Sequence, residues 1–271
     1  MSHSPVIDHY SVCTLPLDIL VNGHSVGVAT GFLYQYDNAV WLVSNWHVFS
    51  GRSVKDGLVR HRSNMSPEQI EFLARDATNH ELFHTQRIDL SQRGRSLWIQ
   101  HKKGRHVDIA AIEFIGWEKY LLKPINTAPS VPDMRVSVAD DVFVLGYPKG
   151  ITMQGSIPVW KRGSIASEPD LPVDKEENVF LIDSLTREGM SGSPVIARCR
   201  GGYDDIHGGR NIDAGTFSKF LGVYSGRYGH NDKQPDEDIL NTVGLGKVWG
   251  EALLIEMFRW RIRGIDPADY S

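Results

Sequence analysis

The sequence predicts an all-β chain arranged as two units of similar size and ending in an α-helix. Short β-rich runs recur between turn signals through most of its 271 residues. A proline-containing segment divides these runs into two groups. Only the last stretch carries apolar residues at helical spacing.

The first unit is expected over residues 1–126. Residues 26–44 hold G-F-L-Y-Q-Y, then Asp37-Asn38, then A-V-W-L-V-S, two apolar β-rich runs about a two-residue turn and so a hairpin. A further strand is read at 107–115, V-D-I-A-A-I-E-F-I, after the basic run K-K-G-R-H. The intervening 53–96 is polar and charged, which predicts long surface loops with one short helix at 67–75. T-A-P-S-V-P at 127–132 combines two prolines with small residues and opens a linker over 127–140. The second unit, 141–246, offers strands at 142–148, 159–165, 179–184, 194–199 and 220–225. Residues 247–264 read as a helix stopped by Gly264, and 247–271 as a terminal helix and tail. Its Phe258, Trp260 and arginines admit a partner or membrane face, but a terminal helix docked on a barrel is the simpler expectation.

Composition narrows the function. Hydrophobic residues make up 41% and charged residues 23%, the balance of a soluble globular protein. A net charge of −4 gives no general affinity for nucleic acid or anionic membrane. No apolar run reaches membrane-spanning length, and the start lacks a basic region followed by an apolar core, so a cytoplasmic location is expected. Cys13 and Cys199, the only two cysteines, are far apart, which points away from a disulfide framework or a thiolate metal site.

Chemistry concentrates in three places. W-L-V-S-N-W-H-V at 41–48 puts His47 just after an apolar strand, and H-V-D-I-A-A-I at 106–112 puts Asp108 at the start of another. R-E-G-M-S-G-S-P-V at 187–195 presents Ser191 between two glycines. Taken singly, each is ordinary: a structural histidine, a turn aspartate, a loop serine. Together they stand in the order His, Asp, Ser, which is one of the orders in which a nucleophile, its base and an orienting carboxylate occur. Serine is a poor nucleophile at neutral pH, so Ser191 needs His47 as base, and Asp108 would fix the imidazole tautomer. Because the base must be neutral, activity is expected to rise with pH as the imidazole loses its proton.

On these motifs the chain resembles the trypsin/chymotrypsin-like serine peptidases, especially their bacterial, disulfide-poor branch. G-M-S-G-S-P-V is similar to the family's G-x-S-G-G/S-P block, and the resemblance runs over roughly 12–260. It implies two antiparallel six-stranded β-barrels with the site in the cleft between them, and a polypeptide substrate cleaved through an acyl-enzyme. It also implies oxyanion donors at the amides of Gly189 and Ser191, no cofactor, and Ser191 rather than Ser193 as nucleophile. The pocket for the side chain before the scissile bond maps to Leu185 through Glu188 and to 222–229. There Ser225 and Gly226 would pair with substrate backbone. With no aspartate near Leu185, cleavage after Lys or Arg is not expected. Arg227 reads as a solvated charge, with attraction of an acidic side chain as its alternative.

One departure matters. Met190 stands where enzymes activated by N-terminal cleavage carry a carboxylate, so the oxyanion hole must form without that ion pair. Tight specificity or control by a regulatory or companion protein follows as an expectation, with the loop at 200–219 as the contact. The rival readings are a catalytically silent binding module and a protease dedicated to one companion protein. H-E-L-F-H at 80–84 matches H-E-x-x-H, but no third ligand follows it and it lies between His47 and Asp108, so zinc is not expected.

Overall fold

The computed structural model describes residues 6–60, 65–153, 156–173, 178–228 and 244–266. The first unit is built on β1 (Thr14–Val21), β2 (His24–Tyr36) and β3 (Ala39–Ser44). Tyr36 pairs with Ala39, so Asp37 and Asn38 form the expected two-residue turn, with Asp37 at φ 53°. Both faces of this hairpin are buried. Leu33 and Leu42 point into the first unit's own core, while Phe32, Tyr34, Trp41 and Val43 join the core shared with the second unit. That is why the runs read as continuously apolar rather than alternating.

Residues 67–75 correct the sequence reading. They contain no helix: Gln69–Arg75 is β4, and it pairs with β5 (Phe83–Asp89) in a hairpin where long loops were expected. Its burial alternates, with Ile70, Phe72 and Ala74 inward, a period of two that the charged intervening residues disguised. β6 (Ile99–Gln100) and β7 (Ala110–Glu113) complete the unit's own part of the main sheet.

The second unit is a closed six-stranded antiparallel barrel, as expected. Its strands are β8 (Asp141–Gly146), β9 (Val159–Ile165), β10 (Val179–Asp183), β11 (Pro194–Arg200), β12 (Thr216–Arg227) and β13 (Leu245–Gly250). β13 corrects a second expectation. The helix does not start at Lys247, because Leu245–Gly250 is the strand that pairs with both β10 and β12 and closes the barrel. Among the described residues, two α-helices position the rest: α1 (Trp46–Ser50) after β3, and α2 (Glu251–Trp260) after β13. α2 ends at Arg261, in the left-handed conformation at φ 45°, rather than at Gly264.

The terminal segments cross over. His9–Val12 lies against the second barrel, where Arg198 pairs with Asp8 at 2.8 Å and Trp160 Nε1 donates to Ser11 Oγ at 2.9 Å. In return, α2 buries Phe258 among Tyr34, Tyr36 and Trp41 of the first unit. The chain then adds β14 (Ile262–Arg263) to β6, so the first sheet has eight strands in the order β14-β6-β7-β3-β2-β1-β4-β5. Six was the number expected, and the borrowed strand is part of the difference. Trp260 stays outside, 58% exposed, with Lys102 Nζ 5.0 Å from its ring centre. Cys13 and Cys199 are both free thiols.

Candidate active site

The site forms where the end of β3 meets the start of β11. β3 delivers Ser44 and Asn45, and the chain turns into α1 so that His47 sits in its first turn. Asp108 lies two residues before β7, which pairs with β3, so the two side chains are brought together across neighbouring strands. Asn45 Nδ2 donates to the Asp108 carbonyl at 2.8 Å and locks the two segments together.

The Asp108 carboxylate is buried and accepts three hydrogen bonds. The His47 backbone N–H reaches Oδ1 at 2.9 Å, while His47 Nδ1 and the Ser225 hydroxyl reach Oδ2 at 2.8 and 2.7 Å. Burial pushes the carboxyl up, but the His47 imidazole and these bonds outweigh it and hold Asp108 below the usual carboxylate value. Asp108 therefore stays ionised, and His47 Nδ1 acts as the donor to it. This leaves Nε2 as the proton acceptor, the tautomer a general base needs.

Ser191 is placed by main chain rather than by side-chain bonds. Its carbonyl accepts from Thr30 N at 2.8 Å, and Gly192 N donates to the Tyr224 carbonyl at 3.0 Å. Gly192 has φ +83°, and a Cβ there would come within 2.2 Å of the Thr30 carbonyl and 2.3 Å of Ser44 Oγ. The second glycine of the motif is thus a contact with the first unit, next to the segment bearing His47. No hydrogen bond joins Ser191 Oγ to His47. Ser193, by contrast, is fully buried, so the second serine faces the core.

Gly189, at φ +89°, meets the Tyr147 carbonyl at 2.2 Å from an ideal Cβ, so only glycine fits. Its carbonyl accepts from Thr30 Oγ1 at 2.7 Å. The preceding Glu188 carbonyl accepts from Lys149 N at 2.6 Å, which turns the other side of that peptide, the Gly189 N–H, away from Lys149. Among the described residues, neither the Gly189 nor the Ser191 amide donates to a protein group. Met190 between them is fully buried in the second barrel's core with Val144, Val195 and Tyr224. Apolar burial thus anchors the loop at Met190.

The expected pocket residues separate. Ser225 sits at a bulge in β12, where the pairing with β13 shifts between Tyr224 and Gly226, and its side chain is thereby aimed at Asp108. Gly226 and Arg227 pair with Lys247 and Gly246. Glu188 is exposed, and so is Leu185, at 56%, with its carbonyl accepting from Lys161 Nζ. Nothing local in the sequence points to Thr30, which bonds both Gly189 and Ser191, or to the Ser225 bond to Asp108. These contacts span more than a hundred residues and have no local signature. The 80–84 segment is a turn running into β5, and His84 Nε2 bonds Asp76 at 3.0 Å, so His80 and His84 share no helical face.

A closed antiparallel barrel joined to a second sheet, with a bonded His–Asp pair at their junction and a glycine-flanked serine beside it, is the chymotrypsin-like fold. A family model described as a trypsin-like peptidase domain matches residues 29–202, and the chain belongs to that family. No curated protein sequence matches it. Among solved structures, it is similar to the active form of the Rv3671c protease from M. tuberculosis. That protein is 15% identical with a TM-score of 0.51, covering 99% of this chain and 95% of the other. It is also similar to the serine endoprotease from Yersinia pestis, at 13% identity and a TM-score of 0.52, covering 96% and 68%. At such identities the likeness is one of fold.

Proposed function

We propose that this chain is a serine endopeptidase with His47, Asp108 and Ser191 as its catalytic triad. The observation that carries this reading is the 2.8 Å bond from His47 Nδ1 to a buried, ionised Asp108. Ser191 Oγ attacks the scissile carbonyl carbon while His47 Nε2 takes its proton. The amides of Gly189 and Ser191 receive the oxyanion of the tetrahedral intermediate. Collapse passes that proton from Nε2 to the leaving amine and leaves an acyl-enzyme on Ser191. Water, deprotonated by the same nitrogen, then releases the acid and restores the serine.

The freedom of both amides and the burial of Met190 support an oxyanion hole already formed in the resting chain. Restraint then lies in substrate choice rather than in cleavage of the N-terminus, which fits a processing enzyme with few substrates. The test is labelling by a fluorophosphonate, read by intact mass. One adduct that is lost in Ser191→Ala is expected, and a folded protein that takes no adduct would overturn the reading.

A further inference from the structure

The pocket inference rests on the peptidase reading. With the reacting carbonyl at Ser191 and the amides of Gly189 and Ser191, the side chain before the scissile bond enters between two walls. One is the stretch from Leu185 to Glu188, and the other is β12 from Tyr224 to Arg227, which is bonded to the serine's loop. Tyr224 N donates to the Ser193 carbonyl at 2.8 Å, and the Tyr224 carbonyl accepts from Gly192 N at 3.0 Å.

The space between these walls is filled from below. The Tyr224 hydroxyl meets Thr186 Oγ1, so one side chain from each wall closes the gap. The Tyr224 ring lies over Gly246 of β13, where a Cβ would stand 2.5 Å from ring carbon Cε2. Tyr224 and Thr186 are 1% and 2% exposed, and the ring packs on into the barrel core. The two hydroxyls are each other's hydrogen-bond partner, and their burial keeps both from a polar side chain. Burial pushes the Tyr224 phenol up to about 12, which keeps it neutral at working pH.

We propose that Tyr224 and Thr186 form a raised floor that makes the site selective for a small uncharged side chain, such as Ala or Val, before the scissile bond. A Phe or Lys side chain would need the volume the Tyr224 ring occupies. A Glu side chain would need the same volume, and the cations within reach, Arg227 of β12 and the Lys161 Nζ bonded to the Leu185 carbonyl, stand at the walls rather than in the floor.

Peptidyl diphenyl phosphonates with Ala, Val, Phe, Lys or Glu analogues at that position test this, with labelling rates compared to a generic fluorophosphonate. Ala and Val are expected to react about 10-fold faster than Phe or Lys, the discrimination a filled pocket gives. Tyr224→Ala is expected to raise the Phe-to-Ala rate ratio by about 10-fold. If that variant does not fold, the wild-type ranking and Thr186→Ala carry the test. Equal or faster labelling by the Phe, Lys or Glu probe overturns the raised floor, as does an unchanged ratio in a folded Tyr224→Ala. Failure of the generic probe as well would instead remove the peptidase reading on which the floor depends.

Discussion

The two halves of the site are held by different means. His47 and Asp108, from the first unit, are fixed by side-chain bonds to a buried charge. Gly189 and Ser191, from the second barrel, are fixed by main-chain bonds and by glycines pressed against carbonyls. The first half depends on ionisation, so it answers to pH and to isosteric loss of charge. The second depends on backbone shape, so it answers to added atoms. Thr30 links them: a first-unit residue bonds the carbonyls of both Gly189 and Ser191, so the loop bearing Ser191 takes its shape partly from the opposite unit.

Breaking each half separately sharpens this contrast. Ser191→Ala should lower kcat/KM by roughly 10⁴-fold or more with the melting temperature retained, measured on any cleaved peptide. Asp108→Asn should cost roughly 10⁴-fold by the loss of tautomer control, also in a folded protein. Gly192→Ala attacks the other half: with two clashes under 2.4 Å and a left-handed backbone, it should destabilise the protein by roughly 2–4 kcal/mol in urea unfolding and suppress labelling of Ser191. Thr30→Val removes a hydroxyl that donates to Gly189 and accepts from Tyr147 N at 3.2 Å, and should cost about 1–3 kcal/mol. The smallest effect is expected from Ser225→Ala, roughly 10-fold or less in kcat/KM.

The acid limb has a definite sign. Asp108 is held below its usual value, so its contribution to stability is complete at neutral pH and is lost as pH falls through its folded pKa, below about pH 4. Loss of the Ser225 bond raises that pKa and should move the loss toward higher pH, whereas Asp108→Asn should remove this component. Thermal melts across pH 2–6 for the three proteins check this.

What the sequence made legible follows the range of the interactions. The hairpin at Asp37-Asn38 and the strand Val159–Ile165 are written in neighbouring residues, and the structure has them at the expected positions. His47 and Asp108 were identifiable because strand ends and motif order advertise them. Gln69–Arg75 was misread because its charged outward residues hid an inward alternation that only pairing with β1 and β5 rewards. Lys247–Gly250 was read into the helix because its apolar residues continue the pattern of α2, and only barrel closure distinguishes the two. The roles of Thr30 and Tyr224 depend on which segments meet in space, and no local pattern encodes that.

The borrowed strand β14 sets an order of events. During synthesis, His47 and Asp108 emerge early, yet the sheet that carries them lacks its β6 neighbour until Ile262 and Arg263 arrive. Gly264 then seats against Trp98, where a Cβ would stand 2.5 Å from the indole, and its N–H closes on the Trp98 carbonyl at 2.8 Å. The first sheet is thus finished by nearly the last described residues of the chain, after the nucleophile's barrel has been supplied in full. A nascent chain therefore carries His47, Asp108 and Ser191 well before the sheet that frames two of them is complete.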